Sequence, residues 1–412
     1  MTLNERPRCC EGRVTPAISP SHPGISPSHP RDLPKRRAAI PSSLSAVGNE
    51  RLYDTFVRLC EIRSPTGEER EVTDTLAAEL RALGLEVEED DAAGPAEAGA
   101  GNLLARVPGE RDEFVMFCAH MDTVPHRGRV EVVDDEGVFR SAGDTILGAD
   151  NKAAVAVFME LVRRGVERRP PVGIELVLTV AEEQGLRGAK AFDIDRLRAE
   201  VGFVLDHAGP VGQVIVATPT QHRILADFVG VEAHAGVRPE DGSSAIEAAA
   251  AAIGRMNLGR LDEGTTANVG VIKGGTSSNV VPGHCALHAE ARSLDAGRAA
   301  EVAGQISDAC AWGASEFGCD VDVRVEELFR GYKVPSGSTA LGLAEEGLRA
   351  IGVEPRREAI GGGSDANVFR LAGFDSVLLA NGPDAVHTND EHVAAADLDR
   401  MLGVCEGILA RA

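Results

Sequence analysis

The chain has 412 residues, with 42 Lys and Arg against 64 Asp and Glu, for a formal net charge of −22. At roughly 100–200 residues per domain this allows two or three domains, and a core that needs no disulfide or metal merely to fold. An acidic surface repels phosphate backbones and anionic lipid, and 4% aromatics with one Trp offer little for base stacking, so no nucleic-acid and no membrane partner is expected.

No apolar run reaches the length of about 18 residues that a membrane helix needs. The cysteines at 9, 10, 60, 118, 285, 310, 319 and 405 form no C-x-x-C pair. They read as free thiols in a reducing compartment, and with no secretory signal visible the expected location is cytoplasmic.

Residues 1–46 are rich in Pro, Ser and Arg, and Ile18–Pro23 (ISPSHP) recurs as Ile25–Pro30. Such a segment buries too little apolar surface to order itself and is expected to be disordered. From Arg51 to Leu85 the pattern predicts a helix, a polar loop with Ser64-Pro65-Thr66-Gly67, and a second helix. Glu89–Gly101, acidic and rich in Gly and Ala, is expected to be a mobile loop. Phe114–Ala119 is a near-continuous apolar run, as are Val172–Val180, Gly202–Leu205 and Ser376–Ala380, which predicts strands covered on both faces. Asp150–Arg164 has helical period, with Gly165 as its stop. Buried strands alternating with helices predict an α/β domain with a mostly parallel sheet.

The middle of the chain alternates differently. Ile224–Glu232, Ala267–Ile272, His284–Arg292 and Cys319–Glu327 read as strands, Ser243–Met256 and Asp295–Phe317 as helices. The order β-α-β-β-α-β matches a ferredoxin-like unit. The expected division is a catalytic domain in two parts, 47–218 and 329–412, with an inserted α+β domain at 219–328.

Metal-type ligands follow the apolar strands. Phe114–Ala119 runs into His120-Met121-Asp122, Val172–Ala181 into Glu182-Glu183, Gly202–Leu205 into Asp206, and Ser376–Ala380 leads on to His387. Asp150 opens a helix in Gly148-Ala149-Asp150-Asn151-Lys152. In open α/β sheets, sites form beyond the carboxyl ends of the strands. Two His and three carboxylates suit zinc or a similar divalent ion, and are too rich in nitrogen for calcium. They exceed the needs of one catalytic zinc and suffice for two if one carboxylate bridges.

The chain resembles the M20 dinuclear zinc peptidases, most closely their peptidase T-like branch, over about residues 50–410. The motifs are His120–Pro125 (HMDTVP), Ile146–Lys152 (ILGADNK), Ala181–Gly188 (AEEQGLRG), Asp206, Ala233–Gly236 (AHAG), Ser278–Pro282 (SNVVP) with Arg292, Gly361–Asn367 (GGGSDAN) and His387-Thr388. The resemblance implies two Zn2+ (or Co2+ or Mn2+) ions per subunit. Asp150 would bridge them, Glu183 and His387 would complete one site, and His120 and Asp206 the other. Asp122 would orient His120, and Glu182 would be the general base toward the attacking water. The Asp150–Asn151 bond would be cis. His234 would donate to the oxyanion, from the same subunit or its partner. Asn279 and Arg292 would hold the substrate backbone or carboxylate, and Gly363 and Ser364 would line the pocket through backbone groups. A homodimer through the inserted lid domain is also implied.

In this family Asp at position 206 accompanies aminopeptidases and dipeptidases, which favours hydrolysis of short peptides from the N-terminal side. Two alternatives stand beside that expectation: an N-acyl-amino-acid deacylase on the same scaffold, and a catalytically silent binding protein. The histidines at 126, 207, 222, 284, 288 and 392 read as structural, Asp365 as a turn anchor and Cys118 as core packing.

Overall fold

Segments such as Phe114–His120 and Gly173–Thr179 carry no polar face, so a sheet covered on both sides is where they bury best. The computed structural model, which describes residues 49–412, places both at the centre of such a sheet. The expectation for residues 1–46 lies outside the described residues. The sheet has the strand order Val87–Glu89, Leu103–Val107, Gly173–Thr179, Phe114–His120, Val201–His207, Asp375–Ala380, Gln213–Ala217, Arg356–Ala359. The middle four strands are parallel, and antiparallel neighbours flank them on either side. A parallel centre brings the carboxyl ends of those strands to one edge.

Alternate residues of Phe114–His120 serve the two faces. Val115, Phe117 and Ala119 join the larger apolar cluster, with helices Glu50–Glu61, Ala149–Glu167 and Ala395–Leu409. Met116 and Cys118 join a smaller one with Phe369 of helix Asp365–Leu371.

The second sheet is antiparallel throughout, in the order Gly259–Asp262, Thr265–Gly274, His284–Ser293, Thr220–Val229, Asp320–Phe329. Apart from the short edge strand, this is the order of a ferredoxin-like unit. Helices Ala245–Arg255 and Ala296–Glu316 cover one face, where Ile224, Ala226 and Phe228 meet Ala248, Ala252 and Ile306.

Two local expectations need correction. The helix does not stop at Gly165 but runs from Ala149 to Glu167. A Cβ on Gly165 would lie 3.2 Å from Ile174 and 3.3 Å from Val107, so this glycine lets the helix approach the sheet rather than ending it. The segment Glu89–Gly101 is packed down rather than mobile. Ala92, Ala96 and Ala100 are buried, Glu69 accepts the N–H of Gly99 at 2.6 Å, and Asp90 accepts those of Ala92 and Asn102. Carboxylates that satisfy loop N–H groups order a segment whose composition alone looks loose. No helix among the described residues is long and apolar enough to cross a membrane.

Candidate metal centre

His120 ends its strand and is buried. Its Nδ1 lies 2.9 Å from the main-chain oxygen of Asp122, which leaves Nε2 facing Asp206 Oδ1 at 3.1 Å and Asp150 Oδ1 at 3.3 Å. On the far side of Asp150, Oδ2 lies 3.3 Å from His387 Nε2, and His387 is 3.0 Å from Glu183 Oε1. The Asp150 carboxylate therefore stands between two ligand pairs. Three groups of candidate ligand atoms converge here: His120 with Asp150 and Asp206, Asp150 with Glu183 and His387, and His120 with Glu182 and Glu183.

The backbone around these side chains is unusual in several places. Gly148, just ahead of Asp150, has φ 76°, and the Asp150–Asn151 bond is cis. Ala181, before Glu182, has φ 50°, and His387 itself has φ 64°. Left-handed backbone at a residue with a Cβ costs about 1–2 kcal/mol and tends to gather at functional sites. Asp122 ties the strand ends together. Its Oδ1 accepts the N–H of Glu182 at 3.0 Å, and its Oδ2 accepts the N–H of Glu183 at 3.3 Å and the Thr66 hydroxyl at 2.7 Å.

Several contributors were not anticipated from sequence. Buried Glu391 accepts the N–H groups of Leu147 (2.9 Å), Gly148 (2.7 Å) and Asp150 (2.9 Å), cradling the turn that presents Asp150. Asn381 donates to Asn151 at 2.7 Å, and Asn151 donates to Asp206 Oδ1 at 3.1 Å. Thr66 lay in a loop already singled out, and Asn381 directly follows a strand, so a signal existed for those two. Glu391 had none beyond its nearness to His387.

Crowding shifts the facing ligand candidates in opposite directions. Burial, reinforced by Asp206, holds Glu182 well above the usual carboxylate range. Burial likewise pushes Asp206 up to about 7 despite His120 beside it. Asp150 is also buried, but the two imidazoles outweigh that and hold it low. The Asp150 and Glu183 carboxylates beside it raise His387 to about 10.

The donor set fits divalent metal. Two imidazole nitrogens with carboxylates match zinc-like preference. Glu183 Oε1 is buried without a hydrogen-bond partner although His387 stands beside it, as befits an atom aimed at a shared centre.

The remaining candidates lie apart from this cluster. His234 is exposed, on the short strand Ala233–His234 paired with Val280–Val281, and Ala235 donates to the Asn279 carbonyl at 3.0 Å. The pair is thus brought together, but neither side chain bonds to the cluster among the described residues. Arg292 bonds Glu290 and, across to the other sheet's loops, the Gly361 carbonyl at 3.0 Å. Gly363 lets the Phe329 ring pack where a Cβ would come within 2.5 Å of it. Ser364 is fully buried and caps helix Asp365–Leu371, with its N–H bonded to Asn367 Oδ1 at 3.1 Å and its hydroxyl accepting from Ala366. Asp365 bonds the Thr179 hydroxyl, and burial raises its pKa to about 6.

Comparison with known proteins decides the family. The description of Peptidase family M20/M25/M40 matches residues 116–411. The chain belongs to that family. This M20 peptidase is 38% identical over 368 residues to the uncharacterized protein YqjE of Bacillus subtilis strain 168, covering 89% of this chain and 99% of the relative. It is similar to the crystal structure of aminopeptidase PepT from Bacillus cereus, with 39% identity, coverage of 88% and 98%, and a TM-score of 0.77. It is also similar to a tripeptidase from Staphylococcus aureus, with 36% identity, coverage of 89% and 100%, and a TM-score of 0.83. The M20 peptidase is thus a hydrolase of a metal-dependent family, on the peptidase T-like side of it, and the cluster around Asp150 is its candidate metal site.

Proposed function

We propose that this M20 peptidase is a two-zinc aminopeptidase that removes the N-terminal residue from short peptides. The observation that carries the two-metal reading is the Asp150 carboxylate, with one oxygen 3.3 Å from His120 and the other 3.3 Å from His387. Asp150 would bridge, His120 and Asp206 would complete one site, and Glu183 and His387 the other. When bound, the metal pair supplies electrophilic polarisation of the scissile carbonyl and acidifies water. Glu182, buried beside the candidate ligands, takes a proton from the attacking water and delivers it to the leaving amine. Asp122 fixes the Glu182–Glu183 turn and the His120 ring. His234 donates to the developing oxyanion, Asn279 and Arg292 hold the substrate backbone or carboxylate, and Gly363 shapes the wall of the pocket, with buried Ser364 not reaching it but fixing the helix behind it.

The peptide direction is supported by similarity to proteins named aminopeptidase and tripeptidase, and by Asp rather than Glu at 206. We further propose that residues 219–328 act as a lid between catalytic segments 47–218 and 329–412, that two copies pair through it, and that the enzyme works in the cytoplasm. Exposed Val271 and Ile272, on the part of Thr265–Gly274 beyond its pairing with Gly259–Asp262, support that pairing. Sedimentation showing a stable monomer at micromolar concentration rejects the dimer.

Two measurements test the main reading. Metal analysis of purified protein should find two zinc-like ions per chain. A panel of tri- and dipeptides against N-acetyl and N-succinyl amino acids should show peptide cleavage. Preference for the acylated amino acids selects the deacylase instead, and inertness toward all of them selects the silent binding protein.

A further inference from the structure

Glu290 and Arg292 lie two residues apart on strand His284–Ser293, so both side chains leave the same face of the second sheet. Glu290 takes the guanidinium side-on: Arg292 Nε donates to Oε1 at 3.1 Å and Nη2 to Oε2 at 3.0 Å. Gln221, opposite Arg292 in the strand register, donates to Glu290 Oε2 at 2.8 Å. Arg292 Nη1 donates to the Gly361 carbonyl at 3.0 Å, in the loop that leads to Gly363 and Ser364.

A guanidinium has five N–H donors. Three have acceptors here, so one on Nη1 and one on Nη2 are left without a protein partner among the described residues. The fork is only partly exposed, and its plane and direction are set before any ligand arrives. An N–H left on each terminal nitrogen of an oriented guanidinium is suited to donate to a carboxylate. Ordering that long side chain in the free protein removes a cost that binding would otherwise meet.

We propose that Glu290, braced by Gln221, is a positioning residue that holds Arg292 as a preformed fork for the free C-terminal carboxylate of a short peptide. It thereby sets the enzyme's preference for peptides ending in a free acid. This rests on the aminopeptidase reading above and deepens it.

The test is steady-state hydrolysis of trialanine and trialanine amide by the metal-loaded full chain and by Glu290→Gln, Glu290→Ala, Arg292→Ala and the Glu290→Ala/Arg292→Ala double variant. Wild type should have a KM for the acid about tenfold or more below that for the amide. Glu290→Ala should raise KM for the acid about tenfold while kcat stays within about twofold and KM for the amide holds. Glu290→Gln, isosteric and retaining one acceptor, should fall between. The double variant should be no worse than Arg292→Ala, since Glu290 acts only through that side chain. An acid and an amide affected alike, a double variant worse than Arg292→Ala, or a wild type indifferent to the terminal group overturns the inference while the aminopeptidase reading stands. A loaded wild type that cleaves neither peptide overturns both.

Discussion

The Asp122 carboxylate accepts the main-chain N–H of Glu182 at 3.0 Å, so the residue that follows His120 by two positions also sets where the Glu182 side chain starts. The same carboxylate accepts from Glu183 and Thr66. Asp122→Asn keeps the shape but turns an N–H2 toward groups that are themselves donors. We expect kcat/KM to fall about 10–100-fold with weaker metal binding, read by steady-state kinetics and by metal competition against a chelating dye.

Glu182→Gln removes the proton acceptor and leaves the proposed ligands in place. Turnover should drop by about 10²–10⁴-fold while two metals per chain remain by elemental analysis. A variant that retains near wild-type turnover takes Glu182 out of the chemistry.

His120→Ala should lower metal content as well as rate, because one imidazole nitrogen facing both Asp150 and Asp206 is lost. Dialysis against a chelator should abolish wild-type activity, and added zinc should restore it. A fully loaded His120→Ala protein contradicts its assignment as a ligand.

Glu391→Ala would strand three buried N–H groups, those of Leu147, Gly148 and Asp150. At about 1–3 kcal/mol for each unsatisfied buried group, the loss of stability should be at least several kcal/mol, partly relieved by entering water. Urea unfolding should show it, and zinc titration should show a weakened site, because Asp150 loses its fixed backbone.

Glu160 is buried, which works against its charge, but hydrogen bonds from Arg51 (2.7 and 2.8 Å) and Arg164 (2.9 Å) outweigh this and hold it below the ordinary glutamate value of 4.5. As pH falls through that value the unfolded carboxylate binds a proton before the folded one does, so the folded state loses stability. The contribution is fully present above pH 4.5 and disappears as pH drops through the lowered folded value. Wild-type stability should therefore fall faster than that of Glu160→Gln below pH 4.5, measured by denaturant unfolding across the acid range.

His120, Glu182 and Asp206 could be picked out from residue order because each follows an apolar strand, and parallel strands deliver their carboxyl ends to one edge. The ferredoxin-like order was legible for the same kind of reason: Asp320–Phe329 alternates, and Ala245–Arg255 has helical period. Such patterns arise between near neighbours in the chain, so the residues themselves carry them. Gly165 was misread because one letter serves two physical needs, a left-handed stop and a close approach, and only the distance to Ile174 tells them apart. Glu391 escaped notice because its partners are main-chain N–H groups, the Asp150 one 241 positions away, and main-chain donors look alike at every residue. The fork at Arg292 was hidden in the same way, since the Gly361 carbonyl that meets it has no side chain to signal the contact. Periodicity is written locally, whereas a hydrogen bond between distant loops exists only once the fold has set their spacing.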